Sequence, residues 1–100
     1  MNKTQLAQAF VAGQQGRCHN AHTDGQAYTL HASPIAVKEG DNVVFHWHGF
    51  YTTSTASHMN EILRAMAAPM RVSYADARDR QVTHFVCPMP PVFNAGYYGL

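Results

Sequence analysis

Ile35-Ala-Val-Lys38, Glu39-Gly-Asp-Asn42 and Val43-Val-Phe-His-Trp-His48 stand end to end in the chain. The outer blocks are filled with β-branched and aromatic residues, and the middle block carries the glycine and short polar side chains of a tight reversal. The stretch therefore reads as strand, turn, strand. Just before it, Pro34 stops a further strand, Ala27-Tyr-Thr-Leu-His-Ala32, and the pair Asp24-Gly25 favours the positive backbone angles of a hairpin turn. Three strands of antiparallel sheet are thus legible within one short region.

The flanks supply helices. Asn2 or Thr4 caps a helix from Thr4 to Ala12, whose Leu6, Ala9 and Phe10 share a face and whose end is marked by Gly13. From Gln14 to Gly25 the chain is a polar stretch in which no strand is read. Downstream, Gly49 ends the strand, and the hydroxyl-rich Tyr51-Thr-Thr-Ser-Thr-Ala-Ser57 offers acceptors for the free amides of a helix start. Met59, Ile62, Leu63 and Met66 then recur at helical spacing, which predicts a helix from Thr55 to Ala67 that Pro69 ends. Met70 to Tyr74 reads as a strand, Ala75 to Arg80 as a charged turn or single helical turn, and Val82 to Cys87 as the last strand. The sum is an α+β domain over residues 1–87, with an antiparallel sheet of about four to five strands and two helices packed on one face. A tail rich in proline, glycine and aromatic residues follows over 88–100.

Composition narrows the classes of function. Of 100 residues only 13% are charged, and seven Lys and Arg against six Asp and Glu leave a net charge of +1. Proteins that neutralise phosphates carry a basic footprint, which this chain lacks, so a nucleic-acid-binding module is disfavoured. The N-terminus has no continuous apolar signal region and no run is long and apolar enough to cross a bilayer, so the expected protein is soluble and cytoplasmic, with no membrane partner. Cys18 and Cys87 are expected as free thiols in that compartment. A surface so poor in charge is easier to sustain where another chain covers part of it, which raises partner binding and homo-oligomerisation.

Seven histidines invite a metal reading. Cys18, His19 and His22 lie within one short segment, His46 and His48 alternate about Trp47, and His84 with Cys87 closes the last strand. These residues define an alternative in which the chain is a small zinc- or copper-binding domain. The paired motifs of structural zinc sites are absent, and the simpler expectation is solvated histidines with no cofactor. No serine, cysteine or carboxylate stands at a spacing that completes a catalytic set with a histidine, so no catalytic residue and no enzyme is expected.

Two segments resemble copper proteins. His46-Trp-His-Gly49 is similar to a signature of multicopper oxidases, and Thr83-His-Phe-Val-Cys-Pro88 with Asn94-Ala-Gly96 is similar to the ligand loop of blue-copper cupredoxins. With Cys87 as the thiolate, the next ligand positions of the cupredoxin pattern fall on Val92 and Tyr97, which cannot ligate copper, so a type 1 site is excluded.

A broader, collinear likeness joins Ala9-Phe-Val-Ala-Gly13, Asn20-Ala-His-Thr-Asp-Gly25, Ala27-Tyr-Thr-Leu-His31, Pro34-Ile-Ala36 and Tyr51-Thr-Thr-Ser-Thr-Ala-Ser-His58. This order resembles small uncharacterised accessory proteins encoded by bacteriophages and plasmids. Where that family has Ser-Tyr-Gly, this chain has Leu30-His31-Ala32, and of the basic residues that often follow the histidine Arg64 remains. The resemblance implies a small protein that acts on a host protein or protein complex by occluding a surface, as an anti-CRISPR protein or another inhibitor of host defence does. The partner-binding residues expected on that basis are Tyr51, Thr52, Thr53, Ser54, His58 and Arg64, together with Phe93, Tyr97 and Tyr98 of the tail. Both segments are almost free of charge, because the charges gather at Lys38 to Asp41 and Asp76 to Arg80.

Overall fold

The computed structural model describes residues 1–89. Helix α1 (Lys3–Val11) leads into strands β1 (Gly16–Cys18), β2 (Ala21–Thr23), β3 (Ala27–Leu30), β4 (Ser33–Glu39) and β5 (Asn42–His46). Helices α2 (Thr53–Ala65) and α3 (Tyr74–Asp79) follow, and β6 (His84–Pro88) returns to the sheet. All six strands form one sheet in sequential order, each antiparallel to the next. The class is therefore α+β with an antiparallel sheet, and the strand count is six where four to five were expected.

Two errors account for the difference. The polar segment before Gly25 holds two strands, β1 and β2, paired from Gly16 with Thr23 to Cys18 with Ala21. Each has only three residues, too few to show an alternating pattern. In the other direction, Met70 to Tyr74 is not a strand. The backbone N–H of Val72 donates to Asn60 Oδ1 at 2.7 Å and its carbonyl accepts from Asn60 Nδ2 at 3.0 Å. A side-chain amide on α2 thus supplies the partners that a neighbouring strand would have provided. The chain then turns into α3, capped by Ser73. Pro88, assigned to the tail from sequence, pairs with Asn42 as the last residue of β6.

The hairpin of β4 and β5 forms as expected, in register from Glu39 with Asn42 to Ala36 with Phe45. One irregularity lies on its other side. The pairings Tyr28 with Ala36 and Thr29 with Pro34 leave Ile35 as an extra residue, a bulge that turns both Ile35 and Ala36 inward.

Alternation along the strands places the core. Cys18, Ala21, Tyr28, Leu30, Val43, Phe45 and Cys87 are buried, while Arg17, His22, Thr29, Val44, His46 and Val86 between them keep solvent access. Onto the buried face α1 brings Leu6, Ala7 and Phe10, and α2 brings Met59, Ile62 and Leu63. Phe10 meets Tyr28 edge-on at 6.0 Å between ring centroids, and Phe45 stacks on Phe85 at 4.7 Å.

Caps at both ends fix the helices. Asn2 and Gln5 form a reciprocal capping box on α1. At its end Gly13 takes φ +77°, and the amides of Gly13 and Gln14 reach the carbonyls of Phe10 and Ala9. Helix α2 ends on the same pair of hydrogen bonds, but the left-handed position there is Ala67, at φ +58°.

Candidate functional site

The two-residue turn joining β3 to β4 consists of His31 and Ala32, at φ +50° and +68°. Such turns favour Asn-Gly because both central residues must adopt positive φ. Here the geometry is held by residues with side chains, at roughly 1–2 kcal/mol each. The His31 amide donates to the carbonyl of Asn20 in the β1–β2 turn, at 3.0 Å. Two turns at one end of the sheet are thereby tied together, and the starts of α1 and α2 lie beside them.

Two adjoining depressions result. The first, a groove of about 330 Å³, is lined by Leu30, His31, Ser33, Ile35, Phe50, Thr52, Ser54 and Thr55. Leu30 and Ile35 are buried, and Phe50 on its rim is 56% exposed, a large apolar side chain left to solvent. The second, a basin of about 410 Å³, is lined by Asn2, Lys3, Cys18, His19, Asn20, Leu30, His31, Ser54 and His58. Leu30, His31 and Ser54 belong to both, so groove and basin form one cleft with an apolar end and a polar end. Its size falls within the usual range for ligand sites.

His58 organises the polar end. Tyr28, buried beneath it, shares a hydrogen bond with His58 Nδ1. Burial raises the Tyr28 hydroxyl above its ordinary range, so it stays protonated and donates. His58 is pushed down to about 4, first by burial and then by the nearby positive charge of Lys3 and His31, against a weaker opposing effect of Glu61. At neutral pH the ring is uncharged, accepts at Nδ1 and carries its proton on Nε2. Lys3 Nζ donates to Ser57 Oγ beside it. Glu61 is engaged elsewhere, accepting from Thr4 Oγ1 at 2.9 Å and pairing with Arg64 at 3.6 Å.

Of the residues anticipated for partner binding, Thr52, Ser54 and His58 line the cleft. Thr52 is also the cap of α2, accepting from the Thr55 amide at 3.2 Å. Tyr51 serves the interior: its ring stacks on Trp47 at 5.5 Å and its hydroxyl donates to the Val82 carbonyl at 2.8 Å. Thr53 and Arg64 line a separate shallow depression with Asn60 and Tyr74. Phe93, Tyr97 and Tyr98 lie outside the described residues. Sequence reasoning missed Lys3, Tyr28, Leu30, His31, Ile35 and Phe50 as parts of this site. The hairpin signal at Pro34 and the exposed Phe50 after Gly49 were the only local hints, since the cleft is assembled from turns far apart in sequence.

The alternative metal ligands are dispersed. Cys18 is on the first strand and Cys87 on the last, separated by five inter-strand spacings of ~4.8 Å. Both are free and buried, and burial raises the Cys87 thiol. His22 points to the opposite face of the sheet from Cys18. His46, His48 and His84 do gather, with ring centroids 5.5 Å apart for His46 and His48 and 5.8 Å for His46 and His84. His48 is bound to the Pro34 carbonyl at 2.8 Å. Among the described residues, no group of three or more His, Cys, Asp and Glu is placed to hold a metal ion.

No family model, curated protein or solved structure matches this chain. Among the described residues no helix is long and apolar enough to cross a membrane.

Proposed function

We propose that this chain is a binding protein and not a catalyst, a small accessory protein of a phage or mobile element whose cleft seats part of a host protein. The host component we favour is a defence complex such as CRISPR-Cas, which the chain would inhibit by covering a working surface. The observation that carries the binding reading is the groove: a concave apolar floor of Leu30 and Ile35, a projecting Phe50, and a rim of hydroxyls from Ser33, Thr52 and Ser54. Binding energy concentrates where an aromatic or aliphatic group enters such a pocket and polar neighbours exclude water. The chain's low charge fits recognition by shape and hydrogen bonding over phosphate attraction. The phage context rests on the likeness in the segments from Ala9 to His58.

The test is co-purification with a tagged CRISPR effector, paired with plaquing of a targeted phage on a CRISPR-bearing host. Retention of the chain on the effector and restored plaquing are the expected results. Neither retention nor rescue would remove the anti-defence reading.

A further inference from the structure

We propose that the segment this cleft accepts carries a large apolar side chain beside a carboxylate, the apolar group seated in the groove and the carboxylate in the basin. The proposal rests on the binding-protein reading and names the chemistry of the partner. Its ground is the one-sided lining. Lys3, His19, His31 and His58 line the basin, and among the described residues no carboxylate lines either the basin or the groove. Glu61, an acid close enough to act on His58, is held by Thr4 and Arg64. At pH 7 the full positive charge in this lining is that of Lys3, while the neutral His58 ring adds an N–H donor.

The donors match a carboxylate. Lys3 supplies a full positive charge. Neutral His58, with Nδ1 taken by Tyr28, offers Nε2–H, and Ser54 and Asn20 add neutral polar groups at the junction and rim. A carboxylate is acceptor-only when ionised and gains most from such a set, because hydrogen bonds to a charged group are about twice as strong as neutral ones. A basic group in the same place would meet the like charge of Lys3, and a neutral amide or hydroxyl would accept from these donors more weakly. The apolar end discriminates in turn: Leu30, Ile35 and Phe50 give a small or polar side chain nothing to pack against.

Titration of the ¹⁵N-labelled chain at pH 7 with N-acetyl-Gly-Leu-Glu-Gly-amide, and separately with its Gln counterpart, tests this by amide chemical shifts. The Glu peptide is expected to move Leu30, His31 and Ser54 with a dissociation constant on the order of 1 mM, and the Gln peptide to bind about tenfold more weakly. Lys3→Gln should weaken the Glu peptide and leave the Gln peptide unchanged. His31→Gly, which suits the positive φ of that turn, serves as the second variant should Lys3→Gln disturb the helix start. Equal affinity for the two peptides would overturn the carboxylate preference while leaving the apolar groove as a docking site. Absence of shifts at the cleft with either peptide would overturn the docking reading itself.

Discussion

His58 and Tyr28 stand thirty residues apart in sequence and share a partly buried hydrogen bond, and this pair sets a pH dependence. His58 titrates near 4 in the folded chain, below the ordinary value of about 6.5 for an exposed histidine. The unfolded chain therefore binds the proton more readily. Stability at His58 is fully present above about pH 6.5, is lost as the pH falls from there to about 4, and levels off below. Lys3, His31 and Glu61 are the charged or titratable groups that act on it. Titration of the His58 ring by NMR should show its low midpoint, and Tyr28→Phe, which removes a donor to the neutral ring, should raise it. A wild-type midpoint near 6.5 would refute the buried pair. A second prediction at this scale concerns backbone strain. Ala67 and Ala32 both sit at positive φ, where glycine has no steric cost. Ala67→Gly and Ala32→Gly should each raise unfolding free energy by about 1 kcal/mol, read by urea denaturation. Gly25 is the converse case: at φ +91° a Cβ would lie 2.5 Å from the Gly13 carbonyl oxygen. Gly25→Ala should destabilise by at least about 2 kcal/mol, because both the backbone angle and the contact oppose it.

Among the elements, legibility followed length and pattern. The β4–β5 hairpin and both longer helices could be read because each spans enough residues to show its period, β-branched alternation in one case and Met59, Ile62, Leu63 and Met66 in the other. Strands β1 and β2 could not, since three-residue strands are stabilised by what packs on them, and α1 lies across them. Met70 to Tyr74 misled for the opposite reason: its composition suits a strand, but Asn60 already satisfies Val72. That contact predicts that Asn60→Ala will cost about 1–2 kcal/mol by leaving the backbone groups of Val72 without partners. Faster amide exchange at Val72, with the sheet unaffected, is the accompanying observable. Unchanged stability and exchange would show that the segment is held by other means.

At the scale of the whole molecule, the site is a product of topology. A meander of six strands puts the β1–β2 and β3–β4 turns at one end of the sheet, and the starts of α1 and α2 reach the same end. Thr52, Ser54 and His58 stand in one nearly uncharged stretch that was singled out by its likeness to phage and plasmid proteins, and the structure places them on the cleft lining. Leu30, Ile35, Lys3 and Tyr28 were not legible, because nothing in one segment of sequence records what another segment brings to it. Among the described residues the lining of this cleft contains no acid, and its groove is apolar. The most direct measurement uses Ser54→Trp, which fills the junction between groove and basin from an exposed position on the first turn of α2. With the thermal melt unchanged, this variant should lose the retention on the tagged host effector that we propose for the wild-type chain. Equal retention of wild type and variant would contradict the cleft as the binding surface.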